Sequence, residues 1–198
     1  MKRKDILSPN TPRQGGLIGR AIGGAVLRLL GWKLVGQLPD EKKLLIIVAP
    51  HTSNWDYIIA MAAKFYLGSQ VRYLMKSEIN IWPFRSILKW SGGVPVYRFE
   101  KTDILAQTID WLDDEDNVWL GMSPEGTRSK IDKWKTGFLR IAHGAKIPIF
   151  IVAIDGKNKC IVFDKLVDPA DLKGDLDAQA KILQDYYGAR YVGIRPEN

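Results

Sequence analysis

The sequence predicts an α/β fold, a single domain with a central, mostly parallel sheet flanked by helices and preceded by an amphipathic N-terminal helix. Three observations predict it. Short apolar runs of strand length alternate with longer stretches of helical period, the order that builds a parallel sheet covered by crossover helices. Two late strand-like runs, Ile147–Ile154 and Lys159–Val167, flank the turn Asp155-Gly156-Lys157-Asn158 and read as an antiparallel pair. The 198 residues, 46% hydrophobic and 26% charged, suit one core of ordinary composition.

The elements come in order. Residues 1–14 carry Lys2, Arg3, Lys4 and Arg13 and read as a loose basic segment. From Gly15 to Lys33 the period is helical. Ile18, Ile22, Ala25, Val26 and Leu29 fall on one side of the wheel and Gly16, Arg20, Gly24 and Arg28 on the other. Residues 1–37 hold seven basic side chains against Asp5 alone, which is most of the net charge of +7. An apolar face opposite a basic one suits a helix lying in the headgroup plane of an anionic membrane. Packing of that apolar face on the domain core is the equal alternative. Arg20 and Arg28 interrupt the stretch, so it is no transmembrane span, and no cleavage pattern of a secretory signal comes after it.

Leu44–Ala49 is a buried strand ended by Pro50, and Trp55–Leu67 is a helix. Val71–Met75 is a second strand. Ile81–Trp90 is an aromatic-rich short helix or turn, and Gly92–Arg98 a third strand. Thr102–Asp116 is amphipathic, with Ile104, Leu105, Ile109 and Leu112 inward and an acidic, solvated end at 113–116. Val118–Met122 is a fourth strand, Phe138–Ala145 a helix and Asp177–Tyr187 the last helix. The single cysteine, Cys160, excludes an internal disulfide framework, suits a reducing compartment and reads as a core residue.

Chemistry concentrates at the ends of strands. His51-Thr52-Ser53-Asn54-Trp55-Asp56 spans the first junction of a strand with a helix. Ser53 or Asn54 caps the helix, and one turn brings Asp56 to one imidazole nitrogen, leaving the other to accept a proton. A lone His beside a helix cap is the ordinary alternative. Ser123-Pro124-Glu125-Gly126-Thr127-Arg128-Ser129 comes directly after the fourth strand and has the donors of an anion-binding loop. It is no serine nucleophile elbow, because Glu125 stands where that motif needs glycine. His143, near a helix end beside Gly144, suits the last carbonyls of its helix rather than catalysis.

With these residues in hand, the chain resembles the glycerophospholipid acyltransferase family that includes 1-acylglycerol-3-phosphate acyltransferases. Four blocks match in order between His51 and Pro148: His51 with Asp56; Gly93 to Arg98; Pro124 to Ser129; and the apolar strand around Pro148, preceded by Lys135 and Gly137. The resemblance implies that His51 deprotonates an acceptor hydroxyl while Asp56 orients it. Attack then falls on an acyl thioester of coenzyme A or acyl carrier protein, with no metal, no cofactor and no covalent acyl-enzyme. It implies that Arg98, Glu125, Gly126, Thr127, Arg128 and Lys135 hold the acceptor's phosphate and glycerol, and that Pro148 supports the acyl-chain side. Residues 38–198 would be the acyltransferase domain, 15–37 a membrane-surface helix and 1–14 a flexible tail. The enzyme would act peripherally at the cytoplasmic face of a membrane. The expected acceptor is lysophosphatidate. Another lysolipid, such as a lyso-ornithine lipid, and a non-catalytic binder of anionic lipid are the alternatives. A hydrolase is a third reading, and nucleic-acid binding is not expected, since no such motif accompanies the charge.

Overall fold

The computed structural model describes residues 3–76, 84–96, 104–127 and 131–195. Within them, seven strands form one sheet: β1 (Lys33–Gly36), β2 (Lys43–Ala49), β3 (Val71–Lys76), β4 (Gly93–Val96), β5 (Val118–Met122), β6 (Ile149–Asp155) and β7 (Cys160–Val167). Their order is β1-β7-β6-β2-β5-β3-β4. β2 lies between β5 and β6 and is parallel to both, and β3 is parallel to β5 and β4. β7 turns back antiparallel on β6, and β1 runs parallel to β7. The edge pair therefore opposes the other five strands. The α-helices among the described residues are α1 (Arg3–Ile6), α2 (Leu17–Leu29), α3 (Asn54–Leu67), α4 (Phe84–Trp90), α5 (Ile104–Asp114), α6 (Gly137–Gly144) and α7 (Leu176–Gly188).

Both faces of the sheet's centre are covered, which is why β2, β5 and β6 are nearly continuous apolar runs. Every residue of β6 is buried. Leu45, Ile47, Leu120 and Ile151 pack on one face against α5, α6 and α7. Leu44, Ile46, Trp119 and Phe150 pack on the other, against α2 and α3. Cys160 is buried in β7, as a core residue should be. No helix among the described residues is long and apolar enough to cross a membrane.

The N-terminal region corrects three expectations. The helix expected over 15–37 stops at Leu29, and after a turn at Gly31 (φ 72°) residues 33–36 become β1. Residues 3–14 are not loose. Ile6 is 1% exposed in the core, Leu38 N–H donates to Ile6 O at 2.8 Å, and Gln70 N–H to Pro12 O at 2.7 Å. An apolar anchor and satisfied backbone groups hold this segment. The third correction falls on the alternative reading of α2, which packed its apolar face on the core. Gly23 and Leu27 are buried against α3, while Leu17, Ile18, Ile22 and Leu29 are 79%, 77%, 58% and 85% exposed. A Cβ at Gly23 would lie 2.6 Å from Tyr66 N, so only glycine allows the two helices this approach. Close packing of the small face outweighs burial of the apolar one.

Candidate active site

β2 delivers His51 to the carboxyl end of the sheet, the usual ligand-binding end of an open α/β sheet. The turn into α3 is a capping box. Ser53 Oγ accepts from Trp55 N–H at 3.2 Å, and Asp56, at the third helical position, accepts from Ser53 N–H at 2.6 Å. Asp56 also accepts from Thr52 N–H at 2.7 Å. Two backbone donors and the positive end of α3 stabilise a carboxylate whose side chain is 0% exposed. Its Oδ2 lies 3.2 Å from His51 Nδ1, and the imidazole is 21% exposed. With Nδ1–H directed at Asp56, the lone pair sits on Nε2, the arrangement of a general base with an orienting carboxylate.

The loop after β5 closes on the same point. Glu125 Oε2 accepts from the backbone N–H of His51 at 2.7 Å. Burial pushes the Glu125 carboxyl up from its ordinary range, against the opposing pull of that bond and of the His51 side chain. Glu125, expected to help hold the acceptor's phosphate and glycerol, thus fastens the loop that carries His51. Gly126 (φ 65°) presents its bare backbone to Lys135, whose Nζ would lie 3.0 Å from a Cβ there, and Lys135 N–H donates to Pro124 O at 3.0 Å. His51, Asp56, Glu125, Gly126, Thr127 and Lys135 thus come together. Arg98 and Arg128 lie outside the described residues.

From this point a cavity of about 850 Å³ runs between α3 and the sheet. It is lined by His51, Asp56, Gly126 and Thr127, and by apolar side chains such as Val48, Met61, Trp119 and Val152. Asp56 and Leu67 both line it, eleven residues apart on α3, so it extends for about 16 Å at 1.5 Å per residue. Pro148, expected on the acyl-chain side, is elsewhere. It accepts from Leu45 N–H at 3.0 Å before β6 begins, at the opposite end of the sheet from His51. It does not line the cavity.

Sequence reasoning missed several parts of the site. Tyr57, Lys64 and Tyr73 also line the cavity. Val71, Tyr73, Leu74 and Met75 of β3 also form its wall. The C-terminal segment crosses the loop that carries His51 as a strap. Gly156 N–H donates to Val192 O at 2.7 Å and Arg195 N–H to Thr52 Oγ1 at 3.0 Å. A Cβ at Gly193 would lie 2.6 Å from Thr52 Oγ1. His143, expected on its own helix's last carbonyls, instead pairs through Nε2 with Gln179 Oε1 at 2.8 Å.

A histidine steadied by a buried carboxylate, opening on an apolar cavity about 16 Å long, suits an α/β enzyme whose substrate carries an apolar chain. The chain belongs to the Acyltransferase family, whose model matches residues 35–155, and it is an acyltransferase of the 1-acylglycerol-3-phosphate O-acyltransferase-like kind. It is 27% identical over 186 residues to the 1-acyl-sn-glycerol-3-phosphate acyltransferase of Haemophilus influenzae, covering 82% of this chain and 74% of that one. It is 30% identical over 101 residues to the mouse 1-acyl-sn-glycerol-3-phosphate acyltransferase epsilon, covering 48% of this chain and 28% of that one. Its fold matches the crystal structure of the 1-acyl-sn-glycerophosphate (LPA) acyltransferase PlsC from Thermotoga maritima. The TM-score is 0.60 at 17% identity, over 89% of this chain and 80% of that one.

Proposed function

We propose that the enzyme transfers a fatty acyl group from an acyl thioester to the free hydroxyl of a lysophospholipid, with 1-acylglycerol-3-phosphate as acceptor and phosphatidate as product. The observation that carries this reading is the His51–Asp56 pair at the end of a long apolar cavity. The names of the relatives in Haemophilus influenzae and mouse support the acceptor. His51 Nε2 takes the acceptor's hydroxyl proton as its oxygen bonds to the thioester carbonyl carbon. Collapse of the tetrahedral intermediate breaks the carbon–sulfur bond, and the imidazolium returns the proton to the leaving thiolate. Asp56 stabilises that imidazolium. Ser53 Oγ serves as a helix cap, and no side-chain nucleophile is invoked. Gly126, Thr127 and Lys135, with Arg98 and Arg128, bind the phosphate and glycerol, which positions the hydroxyl remote from the charge. The acyl chain lies in the cavity along α3. Coenzyme A or acyl carrier protein serves as donor, and no metal or cofactor takes part. The enzyme acts peripherally on the cytoplasmic face of the membrane, a reading supported by the exposed apolar stripe of α2 and the basic N-terminal segment.

The test is thiol release from a long-chain acyl-coenzyme A with and without lysophosphatidate, lipid products read by mass spectrometry. Lysophosphatidate-dependent release with phosphatidate formed is expected. His51→Ala should lower it by about 10²–10⁴, the usual contribution of a positioned base. Wild-type turnover by His51→Ala would overturn the base. Release of free fatty acid alone would make the enzyme a hydrolase.

A further inference from the structure

At the far end of α3 from His51, a concavity of about 510 Å³ is lined by Arg3, Lys4, Arg13 and Arg20, with Ser8 beside them. Each arginine comes from a different part of the N-terminal segment: α1, the turn before α2, and α2 itself. Arg3 gives Nε and Nη2 to Leu67 O at 3.0 and 2.8 Å, and Arg13 gives Nη2 to Ser8 O at 3.1 Å. These acceptors are neutral carbonyls. They fix the guanidinium planes and leave the positive charge in place. Arg20 Nε is buried and has no hydrogen-bond partner among the described residues. Gly68 (φ 66°) makes room for it, since a Cβ there would lie 2.9 Å from Arg20 Nε. Burial, and then the like charges of Arg20 and Arg13, hold the Arg3 guanidinium below its ordinary value, with Tyr66 opposing them.

Three guanidinium groups gathered on one concavity, two of them held by neutral carbonyls, match the oxygens of a phosphate. Leu17 and Ile18, 79% and 77% exposed, lie in the sequence between Arg13 and Arg20. Both belong to the outward apolar stripe of α2, the helix that carries Arg20. Leu67, which Arg3 holds, is eleven residues along α3 from Asp56, about 16 Å away, so this concavity is distinct from the catalytic end.

We propose that the concavity is a binding site for the phosphate headgroup of an anionic lipid, held by Arg3, Arg13 and Arg20. It is a discrete site and differs from general attraction between a basic segment and a charged surface. It does not depend on the acyl-transfer reading.

The experiment is flotation of the full chain with phosphatidylcholine vesicles, pure or containing phosphatidate, at fixed ionic strength. Wild type should bind the phosphatidate vesicles at least about tenfold more tightly. Arg13→Gln/Arg20→Gln is compared with Arg28→Gln/Lys33→Gln, which removes the same charge from the same segment at exposed positions. Diffuse attraction costs both pairs alike, about fivefold for each lysine or arginine. The site predicts at least about a further tenfold loss for the first pair only, with thermal unfolding of both pairs near wild type. Equal losses, or no wild-type preference for phosphatidate, overturn the proposal. Glycerol 3-phosphate and inorganic phosphate are added as soluble competitors. Competition by either at micromolar concentration assigns the site to a free phosphate and overturns the lipid.

Discussion

Lys64 carries a cation into the wall of the apolar cavity, and its cost is measurable. The side chain is 7% exposed on α3, lines the cavity and donates to Ser91 O. Burial, and then the like charge of Arg72, lower its ammonium to about 8. In the unfolded chain a lysine titrates near 10.4. The folded state therefore binds fewer protons than the unfolded state between about pH 8 and 10.4, and stability rises with pH across that window. The penalty is fully present below pH 8 and gone above the unfolded value. A gap of about two and a half units at 1.36 kcal/mol each amounts to about 3 kcal/mol. Lys64→Met removes the charge at similar length and leaves Ser91 O without this donor, a loss of about 1–3 kcal/mol that is independent of pH. The two changes nearly offset at pH 7. The informative quantity is the difference in unfolding free energy between wild type and variant, measured by urea titration at pH 7, 8, 9 and 10. It should move by about 2–3 kcal/mol in favour of wild type from pH 7 to 10. A difference that stays flat across that range would refute the buried, charge-penalised lysine.

Other substitutions separate the parts of the site. Asp56→Asn replaces a carboxylate that serves two backbone N–H groups and His51, so kcat should fall by about 10²–10⁴ in the thiol-release assay, with a lowered Tm by calorimetry. Gly193→Val puts a branched side chain into Thr52 and shifts the loop that carries His51. It should lower kcat about tenfold or more while vesicle binding is retained, given how sharply rate depends on placement. Gly23→Leu drives α2 off α3 and should cost about 2 kcal/mol or more in urea unfolding, whereas Ile18→Ser/Ile22→Ser should leave unfolding within about 0.5 kcal/mol and weaken flotation. Pro148→Ala should leave acyl-chain preference unchanged when donors of several lengths compete, because Pro148 lies at the other end of the sheet.

What was legible in the sequence was local. β2, β5 and β6 stand out as apolar runs because helices cover both of their faces. His51 and Asp56 announce themselves because one helical turn joins them. β1 was invisible. It has four residues of alternating exposure, and its reason to be a strand is pairing with β7, Lys33 opposite Cys160. The helical wheel divided α2 correctly into two faces, but the inward face was chosen by the close approach of Ala62 and Tyr66 on α3. Glu125 reaches His51 N across 74 positions, so its role as a fastener could not be read from its loop. Pro148 adjoins an apolar strand as expected. Only the parallel register, Leu45 opposite Ile149, puts that start of the strand at the end of the sheet away from His51.

The pairing of β1 with β7 also sets a schedule. The two strands meet across about 127 positions, and the strap that touches Thr52 lies later still. At 5–20 residues per second a ribosome needs roughly 6–25 s to make the intervening chain. Throughout that interval α2 has already been made, and α3, which meets its glycine seam, follows within about 40 residues. The outward apolar stripe of α2 is therefore made well before the segment that steadies the loop carrying His51, and that loop stays without its strap until the chain is nearly complete.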